Sequence, residues 1–154
     1  MEHYTNVREL IKDLAINTGT SQAPAYTNLC TTTEITFTTD FEQQNWYTFC
    51  DGIQRSLITG VAVSLETTVK LDANNEAQKT ILGMIHSVLK DGSVAQFNNQ
   101  SVKLSLLTGA NDGVLEYTTY TVPAVLNFSD LGGASEDVSE YSLTIVITGK
   151  ATES

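Results

Sequence analysis

Residues 60–72 read GVAVSLETTVKLD, and this stretch decides the class of fold. Its apolar side chains fall on alternate positions. One face of the strand would carry Val61, Val63, Leu65, Thr67, Val69 and Leu71, and the other Ala62, Ser64, Glu66, Thr68 and Lys70. Such alternation is typical of a strand with one buried face and one solvated face. The stretch therefore predicts a long strand with one face on the core and one face in solvent.

The segment upstream repeats this pattern. Residues 31–41 read TTTEITFTTDF, in which Glu34, Thr36 and Thr38 alternate with Ile35 and Phe37. Between the two predicted strands, Asp51-Gly52 predicts a tight type I′ hairpin, since that turn needs positive φ at two successive positions. The region 40–60 is therefore predicted to be a long inter-strand loop or hairpin.

A helix is predicted directly downstream, over residues 75–90. Its apolar stripe follows helical spacing and consists of Ala77, Ile81, Met84, Ile85 and Val88. Asn75 and Gln78 fit a capping box at its start, and Gly92 is placed to end it. A single amphipathic helix beside several strands indicates a β-domain with one flanking helix.

The last third of the chain predicts strands again. Residues 100–109 and 114–129 flank the hairpin signal Asn111-Asp112-Gly113. Residues 131–137 read LGGASED, which predicts a turn, and residues 138–149 alternate as a final strand.

The N-terminal region, residues 1–24, is predicted to be an arm or a short helix. Val7, Leu10, Ile11 and Leu14 have helical spacing, and Asn6 with Glu9 resembles a capping box. A short helix over 5–16 is the first expectation, and an extended arm or strand is the alternative. Residues 17–24 have the composition of a loop.

Length and charge exclude several classes of protein. The chain has 154 residues, which predicts one domain, and its formal net charge is −10. Such a charge argues against a dedicated nucleic-acid binder. No apolar run is long enough to cross a membrane, and the charged first 16 residues do not resemble a signal peptide. Twenty-two Thr residues favour strands.

No pattern of catalytic or metal-binding residues emerges. A phosphate-binding glycine loop is missing from the sequence, and neither His3 nor His86 has a nucleophile placed beside it. Asp72–Glu76 begins like a calcium loop but lacks its glycine and its final carboxylate. Cys30 and Cys50 are expected to be reduced thiols, with a disulfide as the alternative. We therefore predict no enzyme, no cofactor and no metal.

The segment 41–49 is the most unusual. It holds Phe41, Trp46, Tyr47 and Phe49, which include the single Trp of the chain. Trp and Tyr are enriched at protein interfaces, which favours an interface loop. The alternative is a hairpin that buries these aromatics in its own core.

The order of these parts resembles a known family. A strand closes on Leu71-Asp72, a single helix begins NNEAQ at residues 74–78, and the chain ends LGGASEDVSEYSLTIVITGKA at residues 131–151. Together they are similar to the major tail tube proteins of long-tailed bacteriophages, especially the non-contractile kind. The resemblance covers most of residues 25–150.

The resemblance implies a fold and an assembly. The fold is a β-sandwich or partly closed barrel with one flanking α-helix. Six subunits form a ring, and rings stack into a hollow tube in the virion tail, assembled in the host cytoplasm. The tube conducts DNA into the host during ejection and holds a tape-measure protein beforehand, without specific binding of either. Tail tip and tail terminator proteins are the further partners, and no membrane is involved.

The resemblance also implies two sets of functional residues. The long loop would reach the adjacent ring, and its ring-stacking residues are Phe41, Trp46, Tyr47, Phe49 and Arg55. The candidate lumen-facing residues are Glu34, Thr36, Thr38, Ser64, Glu66 and Thr68, for which an outer solvated face is the alternative. An acidic wall rich in Thr and Ser suits a DNA conduit, because it repels phosphates.

Two other functions stay open at this point. One is another tail or secretion-tube component with the same fold, such as a tail terminator, a neck protein or a type VI inner tube. The other is a carbohydrate-binding β-sandwich.

Overall fold

The computed structural model describes residues 4–20 and 22–153, so His3 lies outside the described residues. Eight strands and three helices follow one another in the described chain. In order they are α1 (Val7–Leu10), β1 (Ile11–Asn17), β2 (Tyr26–Asn28), β3 (Thr32–Tyr47), β4 (Gln54–Lys70), α2 (Glu76–Asp91), α3 (Ala95–Asn98), β5 (Gln100–Asn111), β6 (Val114–Gly132), β7 (Glu140–Ile147) and β8 (Thr152–Glu153).

The strands form one hydrogen-bonded path with the order β2-β1-β5-β6-β7-β4-β3, and β8 joins it by pairing with β6. Every pair along the path is antiparallel. The two end strands, β2 and β3, do not pair with each other, so the path is not closed into a barrel. The predicted class, mostly β with a flanking helix, is confirmed.

Strand β6 divides the path into two layers, because its two halves have different partners. Up to Ala124 it pairs with β5, and from Ala124 onward it pairs with β7. We call β2, β1, β5 and the first half of β6 the first layer. The second half of β6 with β7, β4 and β3 forms the second layer.

One apolar core lies between these parts and α2. It takes residues from both layers and from the helix: Ile11, Leu14, Ile16, Leu29, Leu65, Val69, Ala77, Ile81, Met84, Val102, Leu104, Val122, Ala124, Leu126, Tyr141, Leu143 and Ile145. The buried residues of β4 are the alternate ones from Leu65 to Val69, as the sequence predicts. The opposite face of the second layer is therefore left to polar side chains.

The helix α2 agrees closely with its prediction. Asn75 caps it by accepting a hydrogen bond from the Gln78 N–H at 3.2 Å, and Gly92 ends it with a left-handed φ of 66°. The predicted capping box is only half present. The Gln78 side chain does not accept a hydrogen bond from the Asn75 N–H, as a full capping box requires. It lies fully buried and accepts from the Asp72 N–H at 2.8 Å.

The N-terminal helix is much shorter than predicted. The Asn6–Glu9 capping box is present, but α1 ends at Leu10 and β1 follows at once. Strand pairing explains the change, because Ile11 and Lys12 pair with β5 and leave no room for a further helical turn. Val7 and Leu10 are exposed, so the predicted helical stripe never forms a buried face.

The two predicted hairpin turns have different outcomes. Asp112 and Gly113 have φ values of 50° and 80° and connect the pair Asn111–Val114, as a type I′ turn requires. The predicted tight turn at Asp51-Gly52 is wrong, because the last strand pair is Tyr47–Gln54. The loop is wider, and Gly52 alone has a positive φ, 64°.

Candidate assembly surfaces

Strands β3 and β4 extend beyond the rest of the sheet as a two-stranded ribbon. Their pairing continues to Tyr47–Gln54, whereas β7 covers β4 only from Val63 to Lys70. Residues 40–62, which we call the ribbon, therefore have no neighbouring strand on either side within the described chain. The predicted long segment 40–60 is thus two continuous strands with a short tip.

The ribbon exposes its large apolar side chains. Phe49 at the tip is 110% exposed and Trp46 is 43% exposed. The other exposed apolar residues of the ribbon are Phe41, Tyr47, Ile53, Leu57, Ile58 and Val61. The alternative in which the hairpin buries its aromatics in its own core is therefore wrong. Clustered exposed apolar side chains of this kind are typical of an interaction surface.

The tip is ordered by Asp51. Its carboxylate accepts hydrogen bonds from the Thr48 hydroxyl, from the Ile53 N–H at 3.0 Å and from the Arg55 guanidinium at 2.7 Å. Led by the Thr48 bond, these contacts lower the pKa of Asp51. Arg55 thus fixes the tip from its place opposite Trp46 in the strand register.

The end of the ribbon carries no net charge. Residues 43–62 contain one acid, Asp51, and one base, Arg55, and these two form an ion pair at 2.7 Å. The whole chain has a net charge of −10. The ribbon end is therefore a neutral, apolar projection on an acidic protein.

The six candidate lumen-facing residues lie together on one face of β3 and β4. The register pairs Glu34 with Thr68, Thr36 with Glu66, and Thr38 with Ser64. We call this face of the second layer the polar face. It continues onto β7, where Thr144 and Ser142 lie beside Glu66 and Thr68.

Two further acids belong to the polar face and were not among the predicted residues. Asp40 and Glu42 continue the alternation of β3 and pair with Ala62 and Gly60. The sequence contains a signal for both acids. They follow Thr36 and Thr38 at even spacing, and residues at even spacing lie on the same face of a strand. The sequence predicts that the strand ends near residue 39, and this predicted end leaves both acids outside the strand.

Two strand edges in the second layer lack partners. Within the described residues, β3 pairs with β4 alone, and β6 beyond Ala124 pairs with β7 alone. The backbone groups on these edges therefore have no strand partner within the described residues. Exposed edges of this kind are where a sheet can be continued by a second chain.

A groove lies where the two ends of the strand path approach each other. The Leu29 N–H donates to the Leu14 carbonyl at 2.9 Å, and β1 and β3 do not pair within the described residues. The opening has a volume of about 320 Å³ and we call it the seam groove. Its lining residues are Val7, Arg8, Ile11, Lys12, Asp13, Leu14, Leu29, Thr32, Thr33, Glu34 and Ile35.

The remaining chemistry-bearing residues are dispersed. Cys30 and Cys50 are free and exposed, so the disulfide alternative is wrong. His86 is exposed on α2. Within residues 4–20 and 22–153, His, Cys, Asp and Glu side chains form no group of three or more suited to a metal ion. None of the helices in this part of the chain has the length and apolar character needed to span a membrane.

Comparison with known proteins gives a fold but no close relative. No protein-family model matches the sequence, and no curated protein matches it. Among solved structures, a chain in the tail of an empty gene transfer agent particle, refined helically with C6 symmetry, has a TM-score of 0.62 at 11% identity. The match covers 98% of this chain and 99% of that one.

Two further solved structures give similar matches. A chain of the anti-feeding prophage tube-terminating cap has a TM-score of 0.54 at 11% identity, covering 100% of this chain and 93% of that one. A chain of the sheath–tube complex of an extracellular contractile injection system has a TM-score of 0.51 at 12% identity, covering 92% and 88%. The resemblance inferred from the sequence is confirmed at the level of the fold: this chain has the tail tube fold.

Proposed function

We propose that this protein is the structural subunit of a phage tail tube, in which hexameric rings stack into a hollow tube. The observation that carries the proposal is the ribbon, an exposed apolar projection that the chain cannot cover itself. A fold shared with a helical, C6-symmetric tail supports the same assembly. A structural subunit of this kind has no catalytic function and needs no cofactor.

The ribbon serves ring stacking in this proposal. Phe41, Trp46, Tyr47 and Phe49 bury their exposed surface against the neighbouring ring, and Arg55 holds the tip in shape through Asp51. Aromatic side chains supply much of the binding energy at interfaces, because each buries a large apolar area. The open edges of the second layer join neighbouring subunits within a ring.

The polar face lines the lumen in this proposal. It presents Glu34 and Glu66 among the hydroxyls of Thr36, Thr38, Ser64 and Thr68. The newly placed Asp40 and Glu42 add to the same negative field. Because DNA phosphates are repelled by carboxylates, the polymer passes the wall without binding to it. DNA and a tape-measure protein are thus occupants of the lumen, and tail tip and terminator proteins bind the ends.

Electron microscopy of the purified protein tests the proposal. Sedimentation and negative-stain images are recorded over rising protein concentration, with and without tail tip partners. We expect rings and stacked tubes with six-fold symmetry in end views. A protein that stays monomeric at all concentrations and with all partners would overturn the tube assignment.

A cap or terminator at the end of a tail is the second candidate. The similarity to a tube-terminating cap favours it, since that chain matches over the full length of this one. The same images separate the two functions, because a cap forms single rings that do not extend. A subunit of the tube forms stacks whose length grows with protein concentration.

A further inference from the structure

We infer that the seam groove is the receptor for the ribbon tip of a second copy of this chain in the adjacent ring. The inference rests on the proposed stacking of rings and names the surface on which the ribbon docks. The tip consists of residues 48–53, with Phe49 and Ile53 as its exposed apolar side chains.

The two surfaces lie at opposite ends of the same strand. The seam groove is lined by Thr32–Ile35 at the start of β3, whereas the tip follows Tyr47 at its end. Tyr47 lies twelve positions after Ile35 along β3, a distance of about 40 Å at the usual rise. A tip cannot fold back over its own straight ribbon to this groove. Contact between them therefore requires another copy, arranged head to tail.

The groove has an apolar surface that can cover the exposed side chains of the tip. Its floor is apolar, with Ile11, Leu14, Leu29 and the half-buried Ile35, and Val7 lies exposed at its side. Phe49 has no contact that covers its ring, since it is 110% exposed. Insertion of an aromatic anchor into an apolar pocket is the usual centre of a strong interface.

The charges of the two surfaces match as well. Arg8 and Lys12 on the rim balance Asp13 and Glu34, so the lining of the groove carries no net charge. The ribbon end is also neutral. Two copies of a chain with a net charge of −10 repel each other over most of their surfaces. Contact through these two neutral regions brings copies together with the least repulsion.

Cross-linking in assembled tubes tests the inference, and the native Cys50 beside Phe49 provides one reactive group at the tip. The second is introduced in the groove as Val7→Cys, or as Thr33→Cys in case the first variant disturbs α1. Both are made in a Cys30→Ser background and treated with a short bismaleimide. The matched control is Val114→Cys, a valine on the β5–β6 hairpin that is also exposed.

We expect the groove variants to convert the monomer band into a ladder of dimers, trimers and longer species on a denaturing gel. A head-to-tail contact links every copy to the next, whereas contact between two Cys50 tips would stop at dimers. The control and the Cys30→Ser parent should give no ladder. Tubes that form normally but give no ladder with either groove variant would overturn the inference and leave the proposed function standing. If the parent protein forms no tubes at all, the proposed function fails with it.

Discussion

At the scale of single residues, Gln78 shows how a polar side chain can hold a core together. It is fully buried on α2 and accepts a hydrogen bond from the Asp72 N–H. Its amide nitrogen donates to the Thr31 hydroxyl at 2.7 Å and to the Lys70 carbonyl at 3.2 Å. One side chain thus connects the helix to the end of β4 and to the start of β3.

Replacing this residue by an apolar one should be costly. The change Gln78→Leu leaves the Asp72 N–H without a partner in the interior, and one such buried group costs about 1–3 kcal/mol. We expect the free energy of unfolding in urea to fall by about that amount. The exposed Gln96→Leu should change it by less than about 0.5 kcal/mol. An unchanged midpoint for Gln78→Leu would show that the network contributes nothing.

Tyr141 is the opposite case, a polar group buried without a partner. Its ring packs against Phe128 with a centroid distance of 4.9 Å, and its hydroxyl has no hydrogen bond to any described residue. Burial disfavours the phenolate and raises the pKa of Tyr141 above its usual value of 10.0.

A pH dependence follows from this raised pKa. The folded state holds the phenolic proton more tightly than the unfolded state, so this stabilising effect is complete below pH 10 and is lost as the pH rises above 10. We expect Tyr141→Phe to be as stable as the parent or slightly more stable at pH 7, measured by thermal unfolding. Between pH 10 and 11 the variant should lose less stability than the parent. Equal losses in both proteins would contradict a buried, neutral Tyr141.

At the scale of elements, we expect changes in the ribbon to impair assembly while leaving the subunit folded. Trp46 lies outside the core, so Trp46→Ala should lower the free energy of unfolding of the subunit by less than about 1 kcal/mol. Tube length in negative-stain images should nevertheless fall sharply. The control Leu65→Ala removes a fully buried side chain and should cost about 2–5 kcal/mol. A drop of that size for Trp46→Ala would place its ring in the core instead.

Elements with strong local signals were the ones that the sequence predicted well. Asn75 and Gly92 mark the two ends of α2, and Asp112-Gly113 closes the hairpin between β5 and β6. The long strand around Leu65 was also found, because its alternation is uninterrupted. In each of these cases the local preference and the tertiary contacts agree.

Elements that depend on distant partners were missed or misjudged. The helical spacing from Val7 to Leu14 is real, but pairing with β5 overrides it after Leu10. The short β2 and β8 have too few residues to show alternation and exist only because β1 and β6 lie beside them. The predicted faces of the strands that carry the site residues were likewise correct only where the local pattern agrees with the tertiary contacts. The buried face of β4 was correct at Leu65, Thr67 and Val69 but wrong at Val61, which is exposed because no core lies behind the ribbon, and the tight turn at Asp51 was also wrong.

At the scale of the whole molecule, the polar face leads to a prediction about DNA. Glu34 and Glu66 lie on neighbouring strands of this face, and the hexameric ring that we propose would repeat each of them six times. The change Glu66→Lys, at a position that does not line the seam groove, should leave tubes intact but slow DNA ejection or retain DNA. The effect should be larger at low salt, where screening is weak. Ejection kinetics of assembled particles measure it.

A control variant distinguishes the effect of position on the polar face from the effect of net charge. Glu136→Lys makes the same change in charge at an exposed position outside the strands of the polar face. This control should eject DNA at the normal rate. Equal kinetics for both variants at low ionic strength would show that Glu66 does not face the channel.

The number of strands in the second layer determines how neighbouring copies of the chain can pair when they close into a ring. It holds four strands, β6, β7, β4 and β3, each antiparallel to the next, so the two outermost strands run in opposite directions. When copies are related by rotation about a common axis, β3 of one copy meets β6 of the next in the antiparallel sense. Three or five strands per copy would instead create a parallel seam at every junction. An even count lets any number of copies close a uniform antiparallel wall, and the size of the ring is then set by the angle between neighbours.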